Sequence, residues 1–456
     1  MLLNHKTLTT KQNNEMSKSN SNMVAIVTMC FIFAMISFVT NMGAPFGNIW
    51  GFTYPWAGMM GNMMNFAAYL FMGIPAGNML IKYGYKKTAL IALVVGVVGL
   101  AIQYLSSIFG GDVQAGTLPA FLAEFLGTPE KAGQIVALNL IIYLLGAFIC
   151  GFCVCMLNTV VNPMLNILGG GGNKGNQYIQ IGGTLNSLTG TLTPLLTGVL
   201  VGTLTQDTTM SAVSPLLFVG MAVFSISFFI ILRVNIPEPQ AEITEKVSVT
   251  SPLKFRHTVL VVIAIFFYVG VEIGIPAELN FYISNLKIDG NIIEGASTVG
   301  GSFAAAYWLL MMCGRFLSSF ISGKVSTKMQ MITVSVVAIV LLLFAIFMPS
   351  DITSDFNGVP VPVKCFAIAA CGICTSIMWG GIFNLAVEGL GKYTAPASGL
   401  FMTMVVGGGI MPIIQRKVSL SVDPITSYWV IIAMVAYILY YSVIGCKNVN
   451  KDIKVD

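Results

Sequence analysis

Long apolar runs, separated by short polar or glycine-rich breaks, dominate this chain from about residue 24 to residue 446. A helix that crosses a bilayer needs about 20 apolar residues, because its backbone must satisfy its own hydrogen bonds within the hydrocarbon. The pattern therefore predicts an all-α integral membrane protein with twelve transmembrane helices. These lie near residues 24–46, 55–81, 88–108, 135–160, 177–203, 213–233, 257–283, 296–322, 329–349, 362–388, 394–414 and 425–446.

The composition agrees with this class. Of the 456 residues, 56% are hydrophobic and 9% are charged, whereas soluble domains carry about 25% charged residues. The nine cysteines lie mostly inside apolar runs, and the two histidines, His5 and His257, are far apart in the sequence. We therefore expect no metal site, no cofactor and no enzymatic activity, because no nucleophile, metal-ligand set or phosphate loop is present in the sequence.

The positive charges predict the orientation in the membrane. Most of the 23 Lys and Arg residues fall in the two tails and in alternate breaks between the apolar runs. Lys and Arg in short loops stay on the cytoplasmic side, so both termini should be cytoplasmic and the protein should lie in the cytoplasmic (inner) membrane. The net charge of +5 reflects this topology and indicates no nucleic-acid partner. We expect a monomer surrounded by the lipid bilayer.

A proline-rich, charged segment midway along the chain divides the apolar runs into two sets of six. A weak internal repeat supports this division, since the segments Gly77 to Lys87 and Gly314 to Lys328 have glycine and basic residues at corresponding positions. The predicted regions are a cytoplasmic tail (1–23), an N-terminal six-helix bundle (24–233), a cytoplasmic linker (234–256), a C-terminal six-helix bundle (257–446) and a cytoplasmic tail (447–456).

The first six spans contain asparagines but no charged residue at membrane depth. Polar side chains in hydrocarbon generally face a bundle interior or a water-filled path, so amides without charges suggest neutral ligands. Asn158 and Asn162 are four residues apart and share one helix face. The alternative is that such amides bridge helices, as they commonly do in membrane bundles.

Four stretches carry a resemblance to a known family. They are PAGNMLIKYGYKK (Pro75 to Lys87), LNTVVNPMLNILG (Leu157 to Gly169), VIAIFFYVGVEIGI (Val262 to Ile275) and IFNLAVEGLGKYT with VVGGGIMPIIQ (Ile382 to Thr394, Val405 to Gln415). The chain resembles the sugar permease branch of the major facilitator superfamily that contains the fucose and glucose/galactose permeases. The resemblance implies two six-helix bundles that rock around a binding site at the midplane.

The resemblance also exposes departures from the family pattern. Proton-coupled members place a carboxylate in the first span and another in the fourth, but these positions fall on Ala44 and Asn158 here. A family glutamine in the fifth span falls on Gly183. Asparagine can still bind a hydroxyl group but cannot titrate, so this route for proton coupling is absent from the first half.

Charges at membrane depth occur in the second half. Glu272 lies where related members also carry an acid, so we predict that Glu272, and secondarily Glu278, couples transport to a proton or sodium ion. One alternative places Glu278 in water near the outer end of its helix. The resemblance implies gating roles for Lys82, Gly84, Lys86, Lys87, Arg315 and Glu388. For the lysines, the alternative is ordinary positive-inside anchoring.

Together these features predict a carrier that moves a small neutral solute by alternating access, most simply a monosaccharide of the fucose, glucose or galactose type. A uniporter or exporter of another metabolite, or a non-transporting membrane sensor on the same fold, also fits the residues. The predicted substrate-binding residues are Asn41, Asn158, Asn162, Gln180, Asn186, Tyr307, Trp308, Trp379 and Asn384.

Overall fold

The computed structural model describes residues 2–126, 128–201, 208–238, 247–450 and 452–455. Some predictions fall outside these residues. Residues 239–246 of the predicted linker and the end of the predicted fifth span, 202–203, are not described. The same holds for the side chains of residues 1–21 and of Ala44, so neither the charges of the tail nor the altered position in the first span is placed.

The described chain is almost entirely helical. The helices are α1 (Leu2–Asn41), α2 (Gly43–Thr53), α3 (Met60–Leu105), α4 (Ala120–Phe125), α5 (Leu138–Leu168), α6 (Gly172–Val201), α7 (Ser214–Arg233), α8 (Arg256–Ser284), α9 (Ala296–Ile321), α10 (Thr327–Phe347), α11 (Lys364–Thr375), α12 (Met378–Val387), α13 (Thr394–Thr403), α14 (Gly407–Ser421) and α15 (Tyr428–Tyr440). A π-helical turn, Tyr441–Gly445, continues α15.

Ten helical segments of the described residues are long and apolar enough to cross a membrane. Two further spans complete the twelve of the predicted fold. The α3 segment contains the second and third spans, joined at Gly84, whose φ of 79° breaks the helix. The fifth span is α6, which is rich in Thr, Asn and Gly and is too polar to be among the ten.

Two predicted boundaries differ from the structure. The second and third spans are joined by a one-glycine kink rather than by a loop. The eleventh span continues to Ser421, beyond its predicted end near residue 414, so Arg416 and Lys417 belong to its last turns. The tenth span, Lys364–Val387, lies close to its predicted bounds, although short breaks divide it into α11 and α12 and the eleventh into α13 and α14.

The two ends of the helical bundle differ. Three antiparallel hairpins lie at one end, which we call the hairpin face. They are β1 (Gln114–Thr117) with β2 (Ile135–Ala137), β3 (Lys287–Ile288) with β4 (Asn291–Ile292), and β5 (Thr353–Phe356) with β6 (Val359–Pro362). The opposite end, which we call the linker face, carries the described parts of the 234–256 connection and the C-terminal residues.

The two halves are in close contact near the linker face. A Cβ atom added at Gly399 of α13 would lie 2.7 Å from Cα of Gly77 of α3, and one added at Gly77 would lie 3.0 Å from Cα of Gly399. Small residues allow helix backbones to approach in this way. Val249 of the linker is buried beside the same contact. This structure is therefore closed at the linker face.

Candidate functional site

A chain of hydrogen bonds connects the two halves near the midplane. The Asn158 amide donates to the Tyr69 hydroxyl at 2.8 Å, and the Asn162 amide donates to the Asn158 carbonyl at 2.9 Å. From the other half, Trp379 Nε1 donates to Asn162 Oδ1 at 3.0 Å. As their spacing predicts, Asn158 and Asn162 share a face of α5, where Asn158 contacts α3 of the first half and Asn162 contacts the second half.

A buried ion pair lies near this chain. Arg315 Nη2 is 3.2 Å from Glu272 Oε1, and the two side chains are 9% and 14% exposed. Arg315 also contacts the first half, because Nη1 donates to Ser187 Oγ at 2.8 Å. Arg315, for which the family resemblance implies a gating role, is thus paired with the predicted coupling acid Glu272.

Three tyrosines surround the ion pair. Tyr268, one turn before Glu272 on α8, donates to the Thr375 carbonyl at 3.3 Å, and its ring lies 6.3 Å from that of Trp379. Tyr69, Tyr268 and Tyr307 all lie within electrostatic range of the Glu272 carboxylate. The hydrogen-bond chain, the ion pair and these tyrosines together form what we call the midplane cluster. It combines amides, phenols, an indole and one carboxylate whose charge is compensated by Arg315.

Three predicted binding amides hold helices together. Asn186 donates to the Phe33 carbonyl at 2.8 Å within the first half. Gln180 donates across the halves to the Ile377 carbonyl at 3.1 Å, and Asn384 accepts from Asn166 at 2.6 Å, again across the halves. These three contacts match the helix-bridging alternative. Asn41 instead donates to the Ser37 carbonyl at 2.8 Å within its own helix α1.

The predicted aromatic pair separates into two environments. Tyr307 is fully buried, and its hydroxyl lies 2.8 Å from Thr375 Oγ1 within the second half. Trp308 is 38% exposed. Because Trp308 and Arg315 are seven residues apart, they share a face of α9, with Trp308 nearer the hairpin face. Trp308, rather than Tyr307, is the accessible aromatic residue of this pair.

Glu278 is not in water, contrary to one alternative. Its side chain is 4% exposed and lies 3.3 Å from Nη1 of Arg416, and it accepts a short hydrogen bond from Ser419. All three residues belong to the second half. Glu272 and Glu278 therefore face different neighbours, as their six-residue spacing predicts.

The kink of α3 is held by a residue that the sequence analysis placed only in the linker. The Glu238 carboxylate accepts hydrogen bonds from the backbone amides of Tyr85 and Lys86 at 2.7 and 2.8 Å. Lys86 Nζ donates to the carbonyls of Leu232 and Val234 at the end of α7. Gly84 itself has φ 79° and ψ 177°, a conformation that residues with a Cβ atom rarely adopt, so the kink requires glycine.

The second half repeats one part of this arrangement. Lys328 Nζ donates to the Val443 carbonyl at 2.7 Å, just as Lys86 contacts the end of α7. Lys residues at helix C-termini satisfy free carbonyls and complement the helix dipole. Lys82 lies over the Tyr83 ring at 5.1 Å, whereas Lys87 and Glu388 are exposed on the linker face.

Glu238→Ala is expected to lower stability by about 2–3 kcal/mol, because two backbone amides lose a charged acceptor at a strained kink. Thermal unfolding of the purified protein in detergent measures this change. Glu388→Ala is the matched control, since Glu388 is an exposed acid on the same face. Equal melting temperatures for the two variants would contradict the anchoring role of Glu238.

Several functional residues escaped the sequence analysis. Tyr268 could have been found from its position four residues before Glu272. Tyr69, Asn166, Gln177 and Ser187 gave no separate signal. Their roles come from contacts with helices that are distant in the sequence, such as the bond from Gln177 to the Ser319 carbonyl at 2.9 Å.

Comparison with known proteins shows which family this chain is similar to. The profile described as Major Facilitator Superfamily matches residues 24–412. The chain is 25% identical to the glucose/galactose transporter of Brucella abortus over 445 residues, covering 95% of this chain and 97% of the relative. It is 26% identical to the putative glucose/galactose transporter of Helicobacter pylori over 450 residues, covering 94% and 99%.

A crystal structure of the Escherichia coli fucose:proton symporter has the same fold. The TM-score is 0.74 at 18% sequence identity, with 94% of this chain and all of the other covered. Two helical bundles that meet at a polar midplane define a multi-pass membrane transporter, not an enzyme. The chain belongs to the Major Facilitator Superfamily. The predicted fold class and family are therefore confirmed.

Proposed function

We propose that this protein carries a neutral monosaccharide across the cytoplasmic membrane by alternating access, with the linker face in the cytoplasm. The observation that carries this proposal is the composition of the midplane cluster. Amides, phenols and an indole bind hydroxyl groups and sugar rings, and the charge of Glu272 is compensated by Arg315. Such a site has no net charge to offer an ionic substrate.

Two residues are proposed contacts on the side that leads to the hairpin face. The Asn158 amide lies in the hydrogen-bond chain. Trp308 is 38% exposed on the face of α9 that carries Arg315. Asn65 is not among the proposed contacts, because it lines a small cavity inside the first half together with Tyr143 and Gln103.

The names of the two transporters compared above favour glucose or galactose as the first substrates to test. Closure at the linker face then corresponds to a state that takes up substrate from outside the cell. Glu272 is the proposed coupling residue, because it is the carboxylate in this cluster.

Uptake of a labelled monosaccharide panel into vesicles, with and without an imposed proton or sodium gradient, tests this proposal. We expect gradient-driven accumulation of at least one hexose in the native protein. Glu272→Gln should remove accumulation but permit equilibration, because glutamine cannot carry a proton. Accumulation that persists in Glu272→Gln but disappears in Glu278→Gln would move coupling to Glu278. Failure of every sugar to bind would favour another metabolite or a sensor.

A further inference from the structure

A groove of about 260 Å³ lies between α3 and α7 of the first half. Val94 and Val98 of α3 line one wall, and Ser225, Phe228 and Phe229 of α7 line the other. Val94, Val98 and Phe229 are exposed in the middle of membrane spans, so the groove opens toward lipid. The Ser225 hydroxyl already donates to a carbonyl of its own helix at 2.8 Å. The groove therefore offers apolar surface to a ligand.

The packing of the two helices determines where the groove lies. Phe224 is fully buried against Gly96, where a Cβ atom would collide with the Phe224 ring. Toward the hairpin face, the rings of Tyr104 and Phe218 approach to 4.9 Å between centroids and bridge α3 and α7. The groove therefore ends at this aromatic pair and extends from the middle of the spans toward the linker face.

Two exposed basic residues lie at the linker-face end of the groove. Lys87 is seven residues before Val94, and Arg233 is four residues after Phe229, so each base shares a helix face with a lining residue. From the rise of an α-helix, the bases lie roughly 10 Å and 6 Å beyond these lining residues. Both helices of the groove therefore end in a positive charge on the groove side.

The two bases belong to one corner of the linker face. Lys86 Nζ donates to the carbonyls of Leu232 and Val234 at 3.0 and 2.8 Å, which brings the start of the third span beside the end of α7. The acid in this corner, Glu238, accepts from two backbone amides of the kink. Three bases and one acid among the described residues leave the corner positively charged.

We propose that this groove binds an anionic diacyl phospholipid, with one acyl chain against Val94 and Phe229 and the phosphate between Lys87 and Arg233. The apolar walls accept an acyl chain of any phospholipid, so selectivity comes from the two bases. Lys and Arg at the membrane surface attract anionic lipids, and the Arg guanidinium matches the geometry of a phosphate. The site lies apart from the midplane cluster and does not depend on which sugar is carried.

Charge also disfavours a second copy of this chain as the occupant. Symmetric pairing of two copies in one membrane would place both sets of Lys87 and Arg233 in the same leaflet, next to each other. Like charges at that distance repel, whereas a lipid phosphate neutralises them. A phospholipid is therefore the occupant that satisfies both the apolar and the charged parts of the site.

Native mass spectrometry of the purified full-length protein, washed free of lipid in detergent, tests this site. Dioleoyl phosphatidylglycerol and dioleoyl phosphatidylcholine are the probes, because they share acyl chains and differ in net charge. We expect the first phosphatidylglycerol to bind about tenfold more tightly than the first phosphatidylcholine, because two bases contact its phosphate. Equal affinities would overturn the proposal.

The basic end is tested by Lys87→Gln/Arg233→Gln, which should remove the preference for phosphatidylglycerol. Lys254→Gln/Lys324→Gln is the matched control, because it removes the same charge from exposed positions of the linker face in the second half. This control should keep the preference. If both double variants lose it equally, general attraction to a positive surface explains the binding and the proposed site is wrong.

The apolar part is tested by Val94→Trp, which fills the groove and should weaken phosphatidylglycerol binding several-fold. Val336→Trp, at an exposed position of α10, is the control and should leave binding unchanged. Glycerol phosphate, which lacks acyl chains, should not compete. Unchanged binding in Val94→Trp, or competition by glycerol phosphate, would contradict a site for an acyl chain.

Thermal unfolding in detergent gives a second readout and shows that each variant is folded. Phosphatidylglycerol should raise the melting temperature of the native protein more than phosphatidylcholine does, because a ligand of the folded state stabilises it. Val98→Trp is a second filling variant that serves if Val94→Trp does not fold. A dimer of the native protein that dissociates in the filling variant would assign the groove to a second copy and overturn the lipid site.

Discussion

Gly399→Val is expected to abolish uptake by preventing closure at the linker face. The added side chain would begin at a Cβ atom 2.7 Å from Cα of Gly77, and backbone cannot yield as a flexible side chain can. A carrier that cannot close one face cannot complete alternating access, whichever substrate it binds. We expect transport to fall at least 100-fold, with the protein still inserted in the membrane.

Uptake into vesicles, normalised to the amount of membrane-inserted protein, measures this effect. Gly301→Val is the matched control, because Gly301 lies on helix α9 and a Cβ atom there would meet nothing within 4 Å. Normal uptake by Gly399→Val would show that the contact between α3 and α13 is not the closed gate.

Asn162→Leu is expected to weaken substrate binding by about 10- to 100-fold. Asn162 is fully buried and links the two halves, accepting from Trp379 and donating to the Asn158 carbonyl. Leucine nearly preserves the volume but leaves the Trp379 indole N–H unpaired and removes the Asn162 donor from the Asn158 carbonyl. Such a loss costs about 1–3 kcal/mol.

Binding of the transported hexose to purified protein, followed by isothermal titration calorimetry, measures this change. Asn186→Leu is the control, because Asn186 is also a membrane asparagine but bridges to the Phe33 carbonyl. It should lower thermal stability without changing hexose affinity. Equal losses of affinity in both variants would remove Asn162 from the binding site.

The polar residues of the two halves make different kinds of contact. In the described first half, the amides near the midplane bond to one another, to Tyr69 and to backbone carbonyls. The second half contributes two acid–arginine pairs, Glu272 with Arg315 and Glu278 with the partly exposed Arg416. One pair reaches across to the first half and the other does not. This difference makes Glu272, rather than Glu278, the acid best placed to affect rocking of the halves.

Apolar periodicity and charge asymmetry were sufficient to predict the helical membrane fold, because backbone satisfaction in lipid permits few alternatives. The sequence also predicted a common face for Asn158 and Asn162, since four-residue spacing on a helix is a local property. The family resemblance, together with the rarity of charge at membrane depth, singled out Glu272 and Arg315 individually.

Only the tertiary structure decided which of these residues act together. Asn158 and Asn186 are both membrane asparagines, yet one joins the midplane chain and the other bridges two helices of the first half. Glu272 pairs with Arg315, and Glu238 accepts a hydrogen bond at the Gly84 kink, through contacts between segments that are distant in the chain. Local sequence determines which helix face a side chain occupies, but helix packing determines what that face contacts. For this protein, the sequence by itself determined the membrane fold and which polar residues lie at membrane depth. Helix packing decided which of those residues come together at the contact between the two halves.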